Sequence, residues 1–239
     1  MIATNETVHL YRNWLFDRGS GAIVGIQALE QGALPADHWR LIKDLRGRVV
    51  RIEEHRADLD TPAVKQLHYE SDQSRQVVEA RDYNPDGSLR LVHRYLYDPT
   101  GRVIDRLEFD GQMQSRGHVV SVWDEQGREV EEVVYDNFGR LQGRHQYGYD
   151  ARGCLVLEKI FSPNGILDGI RTLAYDESKR VIEKCWHDRQ GQLKSKYCHE
   201  YSPDDQICRT KLFNNEGALV SELIAPDQPE TDRMCRPDV

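Results

Sequence analysis

The feature that most constrains this chain is a short turn motif that recurs at fixed, alternating intervals. The motif is an aromatic residue, then Asp, two further residues and Gly, as in YDNFGRL from Tyr135 to Leu141. Between Gly87 and Gly217 the fifth position of successive copies advances by 14 and then by 12 residues, without interruption. This alternation predicts a 26-residue repeat with two chain reversals, which is a β-hairpin repeated along an antiparallel meander.

The residue types in the motif favour chain reversal. An Asp side chain accepts hydrogen bonds from the backbone that follows it, and Gly adopts a positive φ that other residues resist. Lys179 and Asp205 stand where the repeat expects Gly, and we expect those two turns to be less regular.

Between the turns, apolar and polar residues alternate with the period of a β-strand. The aromatic residue before each turn and the aliphatic residue after it are predicted to form two rows, one on each flank of the sheet. We therefore predict an all-β fold, an antiparallel meander of about 14 to 18 strands that forms one elongated, curved sheet.

The repeat also predicts how the chain is organised. Residues 1–82 read as divergent N-terminal capping repeats, with a possible short helix over 36–45 that begins near Pro35. Residues 83–224 carry the 26-residue double repeats, and the proline-containing segment 225–239 is predicted to be a disordered tail. We expect one structural domain overall.

Glycine recurs inside the longer strands, at Gly117, Gly143 and Gly169. Glycine weakens a strand, so its return at one place in the repeat indicates either a bend or bulge in the sheet, or a groove where a partner approaches the backbone.

The run that contains Glu129 and Glu131 indicates either a solvated strand face or a patch for a basic partner. Together with Tyr147 and the three strand glycines, these two residues form the partner-binding set that we predict from the sequence.

Composition narrows the range of partners. The net charge of −8 argues against nucleic acid, because phosphate binding needs a clustered excess of Lys and Arg, and it favours another protein. No apolar segment is long enough to span a membrane, and no N-terminal signal sequence is recognisable. Five cysteines without a C-x-x-C pair indicate reduced thiols, so we expect a cytoplasmic protein.

No residue set predicts catalysis. The best candidate metal cluster is Cys185, His187, Cys198 and His199, but Cys198 and His199 are consecutive and would point to opposite faces of a strand. The glycine-rich RGSGAIVG segment from Arg18 lacks the Gly-Lys-Ser/Thr ending of a phosphate loop. We therefore predict no metal, no cofactor and no enzymatic activity.

The motifs YDNFGRL, YDPTGRV and YDARGCL resemble the YD repeats of the Rhs family and, more distantly, the MORN-like repeats of some antitoxin-type proteins. The resemblance covers Tyr83 to Leu223. In Rhs proteins such repeats form a β-sheet that spirals around a toxic domain. This chain is much shorter and shows neither a C-terminal toxin nor the self-cleavage motif that precedes one.

The resemblance implies an immunity or accessory protein, one that binds a bacterial toxin or secreted effector and neutralises or chaperones it. The alternative is a structural or assembly component of an Rhs-like shell or surface apparatus, with self-association through sheet edges.

Overall fold

The computed structural model describes residues 6–17, 22–29, 35–203 and 207–224, and these ranges contain strands and turns but no helix. The predicted all-β antiparallel meander is confirmed, with seventeen strands in the described residues. The strands are β1 Thr7–Asp17, β2 Ala22–Ala28, β3 His38–Lys43, β4 Val49–His55, β5 Ala63–Tyr69, β6 Val77–Tyr83, β7 Leu89–Tyr97, β8 Val103–Asp110, β9 Ser115–Trp123, β10 Glu129–Asp136, β11 Leu141–Tyr149, β12 Leu155–Phe161, β13 Leu167–Tyr175, β14 Val181–Asp188, β15 Leu193–Tyr201, β16 Ile207–Asn214 and β17 Leu219–Ile224. No helix of the described residues is long and apolar enough to cross a membrane.

The contacts divide the chain into two compact units. The first unit comprises Met1–Glu129 and Val133–Leu141, and the second comprises Val130–Glu132 and Gln142–Val239. This division falls within β10 and not near residue 82, and the domain boundaries proposed from the sequence stay a prediction. The tail predicted at 225–239 lies outside the described residues.

In the first unit, strands β3 to β9 each pair antiparallel with the next strand along the chain. The first strands depart from this order, because β1 lies between β2 and β3. At the centre of β1, Tyr11 is opposite Ala28 of β2 and also opposite Trp39 of β3. In the second unit, strands β11 to β17 form an uninterrupted antiparallel meander.

The helix predicted at 36–45 is wrong, because this segment contains β3. Strand β3 pairs with β1 on one side and with β4 on the other, which satisfies its backbone groups without a helix. Leu41 and Ile42 are both buried in this arrangement. The turn predicted after it is present, with Gly47 at a φ of 76°.

The repeated turns have the hydrogen bonding that the motif predicted. In the turn after β10, the Asp136 N–H donates to the carbonyl of Arg140 over 3.0 Å, and the Gly139 N–H donates to the carbonyl of Asp136 over 3.0 Å. The Asp136 carboxylate accepts the backbone N–H groups of Phe138 and Arg140, each at 2.9 Å. Gly139 has a φ of 74°, in the left-handed region that favours glycine.

The turn at Lys179 is as regular as the glycine turns, so the expectation of an irregular turn there is wrong. Lys179 has a φ of 62°, and its N–H donates to the carbonyl of Asp176 over 3.2 Å. The Asp176 carboxylate also accepts the N–H and Nε of Arg180, at 2.9 and 2.7 Å. These bonds offset the cost of about 1–2 kcal/mol for a left-handed residue with a Cβ. Asp205 lies outside the described residues.

Many of the described turns are closed by one aromatic and one aliphatic residue. Tyr97 is opposite Val103, and Phe161 is opposite Leu167. The register shifts by one residue at each of these closing aromatics, so the strand after each turn carries one extra residue. The predicted separation of aromatic and aliphatic rows onto two flanks is therefore wrong, because at turns such as these two an aromatic and an aliphatic residue lie opposite one another at the same end of the strands.

Every second one of the aromatic residues that close a turn donates a side-chain hydrogen bond to the backbone of a neighbouring strand. The donors reach backbone carbonyls twenty residues earlier in the chain. Burial is the main reason that the pKa of Tyr69 rises to about 12, and it raises the pKa of Tyr97 as well. The bonds are Tyr69 to Val49 at 2.8 Å, Tyr97 to Val77 at 2.6 Å, Trp123 to Val103 at 2.8 Å, Tyr175 to Leu155 at 2.8 Å and Tyr201 to Val181 at 2.9 Å.

The apolar core lies in the first unit. Its members are mostly aliphatic and come from strands β3 to β8. The described part of the second unit has no comparable cluster, and most of its side chains are half-buried or exposed. The core residues are Leu41, Val49, Ile52, Leu67, Val77, Ala80, Tyr95 and Val103.

Replacing Gly139 by Ala tests the backbone requirement of the turn. An added Cβ would meet no atom within 4 Å, so the positive φ alone sets the cost. We expect Gly139→Ala to lower the free energy of unfolding by about 1 kcal/mol, measured by urea denaturation. The matched control is Lys179→Ala, where a Cβ is already present at positive φ, and we expect a change within about 0.5 kcal/mol. Equal losses in the two variants would contradict this account.

Replacing Tyr97 by Phe tests the aromatic hydrogen bonds. The variant removes the donor to the carbonyl of Val77, and we expect a loss of about 1 kcal/mol in the free energy of unfolding. Tyr197→Phe is the control, since the Tyr197 side chain is exposed and its hydroxyl makes no hydrogen bond in the described part of the chain. A loss at Tyr197 as large as at Tyr97 would show that the hydroxyl bond is not the cause.

Candidate functional site

The regular pairing of β11 to β15 places a row of polar side chains on one face of the second unit. Residues directly opposite one another in antiparallel strands point to the same face. Tyr147 is opposite Glu158, Glu158 is opposite Arg171, and Lys184 is opposite Tyr197. We call this row of five residues the Glu158 face. The alternate residues, among them Gln146, Thr172, Cys185 and Lys196, point to the opposite face.

Glu158 is the most buried charged residue in the described part of the second unit, with 2% of its surface exposed. Its Oε1 is 2.7 Å from Nδ1 of His145 on β11, and its Oε2 accepts a hydrogen bond from Nη2 of Arg171 on β13. Glu158 thus joins three neighbouring strands. A buried carboxylate with two such partners is held in one geometry, which orders the side chains around it.

An aromatic ring accompanies this cluster. The rings of His145 and Tyr147 lie with their centroids 6.4 Å apart and are tilted by 35°. The first unit repeats the arrangement with His93 and Tyr95, at 6.4 Å and 33°. The sequence shows this repetition as HQY and HRY.

The three predicted strand glycines lie where the neighbouring strand approaches closely. A Cβ on any of them would meet a backbone carbonyl oxygen. This close approach explains the glycines through the local bulges of the sheet, which is one of the two alternatives that the sequence left open. Their contact with a partner stays a prediction. A Cβ added to Gly143 would lie 3.3 Å from the carbonyl oxygen of Phe161, and one added to Gly169 would lie 3.0 Å from that of His187. A Cβ added to Gly117 would overlap the carbonyl oxygen of Tyr135.

The other predicted site residues are not brought together. Glu131 accepts a hydrogen bond from Nε2 of Gln146 at 2.9 Å, which associates it with the face opposite Tyr147. Glu129 is the first residue of β10 and is half-buried. Of the predicted set, Tyr147 is a member of the Glu158 face, and Gly143 and Gly169 lie on the same side of the sheet, two or four residues along their strands. The binding role of all six residues stays a prediction.

The first unit contains a second polar cluster that sequence reasoning missed. Nζ of Lys65 lies 2.6 Å from Oδ1 of the buried Asp82, and Nε2 of His93 lies 3.4 Å from Oε2 of Glu108. Burial, followed by the charges of Lys65 and Arg106, lowers the pKa of His93. The signal was present in the alternation of the strands, which puts Lys65 on the same face as the core residue Leu67.

A cavity of about 190 Å³ adjoins this cluster. Trp14 and Trp39 meet edge to face in its wall with ring centroids 6.0 Å apart. Nζ of Lys65 lies 5.7 Å from the centre of the Trp14 ring. Lys65 is thereby held by both a carboxylate and an aromatic ring, which leaves it little freedom to respond to a ligand.

Two members of the cysteine and histidine set singled out in the sequence have other partners. The Cys185 thiol donates to Oε1 of Glu183 at 3.4 Å, and His199 shares a hydrogen bond with the Thr210 hydroxyl at 2.9 Å. Over the described ranges, no three His, Cys, Asp or Glu side chains are grouped closely enough to hold a metal ion.

No family model and no curated protein matches this sequence. Among solved structures, a Tc holotoxin pore of Photorhabdus luminescens is similar at 13% identity and a TM-score of 0.30, over 85% of this chain and 13% of that one. TcdB2–TccC3 without its hypervariable C-terminal region is similar at 13% identity and a TM-score of 0.28, over 78% and 12%. A porin-like protein from Bacteroides uniformis is similar at 7% identity and a TM-score of 0.47, over 92% and 94%. The chain thus spans a small part of the two toxin structures.

Replacing Glu158 by Gln tests whether this carboxylate orders its face. Removal of the charge leaves Arg171 without its counter-charge, and we expect a loss of about 2 kcal/mol in the free energy of unfolding, measured by urea denaturation. The control is Glu183→Gln. Its carboxylate lies 3.2 Å from Lys196 but its side chain is 40% exposed, so we expect a loss below about 0.5 kcal/mol. A loss at Glu183 equal to that at Glu158 would show that burial does not set the strength of the cluster.

Proposed function

We propose that the chain is a non-enzymatic, protein-binding repeat protein of the cytoplasm. Most concretely, it is an immunity or accessory protein that binds a bacterial toxin or secreted effector and neutralises or chaperones it. The observation that carries this proposal is the Glu158 face, where a buried carboxylate bonds His145 and Arg171 on the two neighbouring strands, beside a row of charged and aromatic side chains. A fixed surface of this kind binds a protein at a low cost in conformational entropy.

The chemistry of the face suits a folded protein partner. Tyr147 and Tyr197 offer ring surface together with a hydroxyl, and tyrosine is enriched at protein interfaces. Arg171 lies opposite the buried Glu158, and Lys184 adds a positive charge opposite Tyr197 on the same face. Charges of both signs in fixed positions select a partner by complementarity. A standard interface needs about 800 Å² on each partner, which several adjacent strands provide.

The turn motif supports a bacterial toxin or secreted effector as the partner. YDNFGRL and its copies resemble the YD repeats of Rhs toxins. This is an inference from family resemblance, and the Glu158 face supports binding independently of it.

One observation favours the alternative function, a structural or assembly component of an Rhs-like shell. Strand β17 pairs with β16, and all six of its residues are exposed. Leu223 and Ile224 are 71% and 65% exposed. Exposed apolar strands at a sheet edge favour pairing with another chain, which would build larger assemblies.

The deciding experiment is co-expression with a toxin encoded by a neighbouring gene. We expect relief of toxicity and one defined heteromer, measured by size-exclusion chromatography with light scattering. Tyr197→Ala with Lys184→Glu is expected to weaken the complex at least about tenfold in biolayer interferometry. The matched control on the opposite face is Lys196→Ala, which we expect to bind as the original chain does.

Three outcomes would count against the proposal. If the control variant loses binding as strongly, the Glu158 face is not the interface. If co-expression gives neither protection nor a complex, the toxin-binding role is wrong. If instead the protein alone forms concentration-dependent polymers that Leu223→Lys abolishes, the assembly function is favoured.

A further inference from the structure

A cationic cavity lies beside the turn that joins β3 to β4 in the first unit. Its volume is about 380 Å³. Four of the side chains around it are basic, in a chain whose net charge is −8. The wall is completed by apolar and aromatic groups. The residues that matter to the argument are Ile23, Lys43, Arg46, Arg48, Tyr69 and Arg75.

Arg48 is a structural part of this wall. Its guanidinium lies 2.7 Å from Oδ2 of Asp44, and its Nη1 donates to the carbonyls of Ser71 and Ser74, each at 3.0 Å. The guanidinium also stacks over the Tyr69 ring at 4.6 Å. Because the hydrogen-bond donors of Arg48 are engaged, its side chain forms a rigid side of the cavity. Its positive charge is balanced by Asp44, so it adds no net charge for attracting a ligand.

The other three basic residues have no such balance. Lys43, Arg46 and Arg75 form no ion pair with a carboxylate in the described part of the chain. Arg46 donates from Nη1 to the backbone carbonyl of Asp72, which orients it and leaves its charge uncompensated. Three like charges around one cavity repel one another, and an anion between them would remove that repulsion.

We propose that this cavity binds a small phosphomonoester. The phosphate dianion would contact Lys43, Arg46 and Arg75. The three positive charges of these residues exceed the single negative charge of a carboxylate, so a dianion balances them better. The organic part would lie against Ile23 and Tyr69, since the cavity is larger than a phosphate group alone. Tyr69 is held in place by its hydrogen bond to the Val49 carbonyl at 2.8 Å, so the aromatic wall of the site is preformed.

Titration calorimetry with inorganic phosphate and phenyl phosphate tests the proposal. We expect saturable binding at one site, with phenyl phosphate tighter because its ring adds contact with Tyr69. Lys43→Gln and Arg75→Gln should each weaken phenyl phosphate binding about tenfold. Arg90→Gln is the control, because Arg90 is an exposed arginine of the same unit outside this cavity. The affinity of this variant for phenyl phosphate should equal that of the original chain.

The proposal is overturned if neither phosphate compound binds saturably below about 10 mM. It is also overturned if benzoate binds as tightly as phenyl phosphate, which would show a carboxylate site, or if Arg90→Gln weakens binding as much as the cavity variants, which would show general charge attraction. Thermal unfolding of each variant confirms that it is folded. Partner binding by the Glu158 face is measured separately, so failure of either proposal leaves the other to be judged on its own.

Discussion

Most of the repeated hairpin turns in the described part of this protein contain an Asp carboxylate that accepts hydrogen bonds from its own turn, and in the turn after β16 the amide oxygen of Asn214 takes this place. Asp98 shows the arrangement, since it accepts from the Thr100 hydroxyl at 2.6 Å and from the backbone N–H of Arg102 at 3.0 Å. These two bonds are the main reason that the pKa of Asp98 is lowered to about 2, because they favour the charged form. The turn is therefore specified by local contacts, and it forms without help from a thick core.

Local turns alone would leave neighbouring hairpins weakly connected to one another. The aromatic residues that close the turns connect them through side-chain hydrogen bonds. A donor such as the Tyr175 hydroxyl reaches the carbonyl of Leu155 across to the preceding turn. The second unit, whose described part contains no large apolar cluster, is held together by such bonds and by cross-strand pairs such as Glu158 with Arg171.

The sequence predicted the meander because its signal is local and repeated. The Gly139 turn and the strands around it follow from residues within a few positions of one another. The segment 36–45 was mistaken for a helix because β3 is stabilised by β1, a pairing between distant residues that no local pattern records. The partners within the Glu158 cluster also depend on pairing between strands, which no local pattern records. Whether Glu158 meets Tyr147 depends on a register that the bulge at Tyr149 shifts by one residue.

The bulges of the second unit affect how such a chain can change in length. Because a one-residue shift recurs at each reversal from β11 to β17, its effect on which side chains share a face is the same in each of these repeats. Duplication or loss of a complete 26-residue segment would preserve the chemistry of both faces. Insertion of a single residue within a strand would exchange the two faces from that point to the next turn. Evolution of this protein is thus free to adjust the number of hairpins while it keeps the character of each surface.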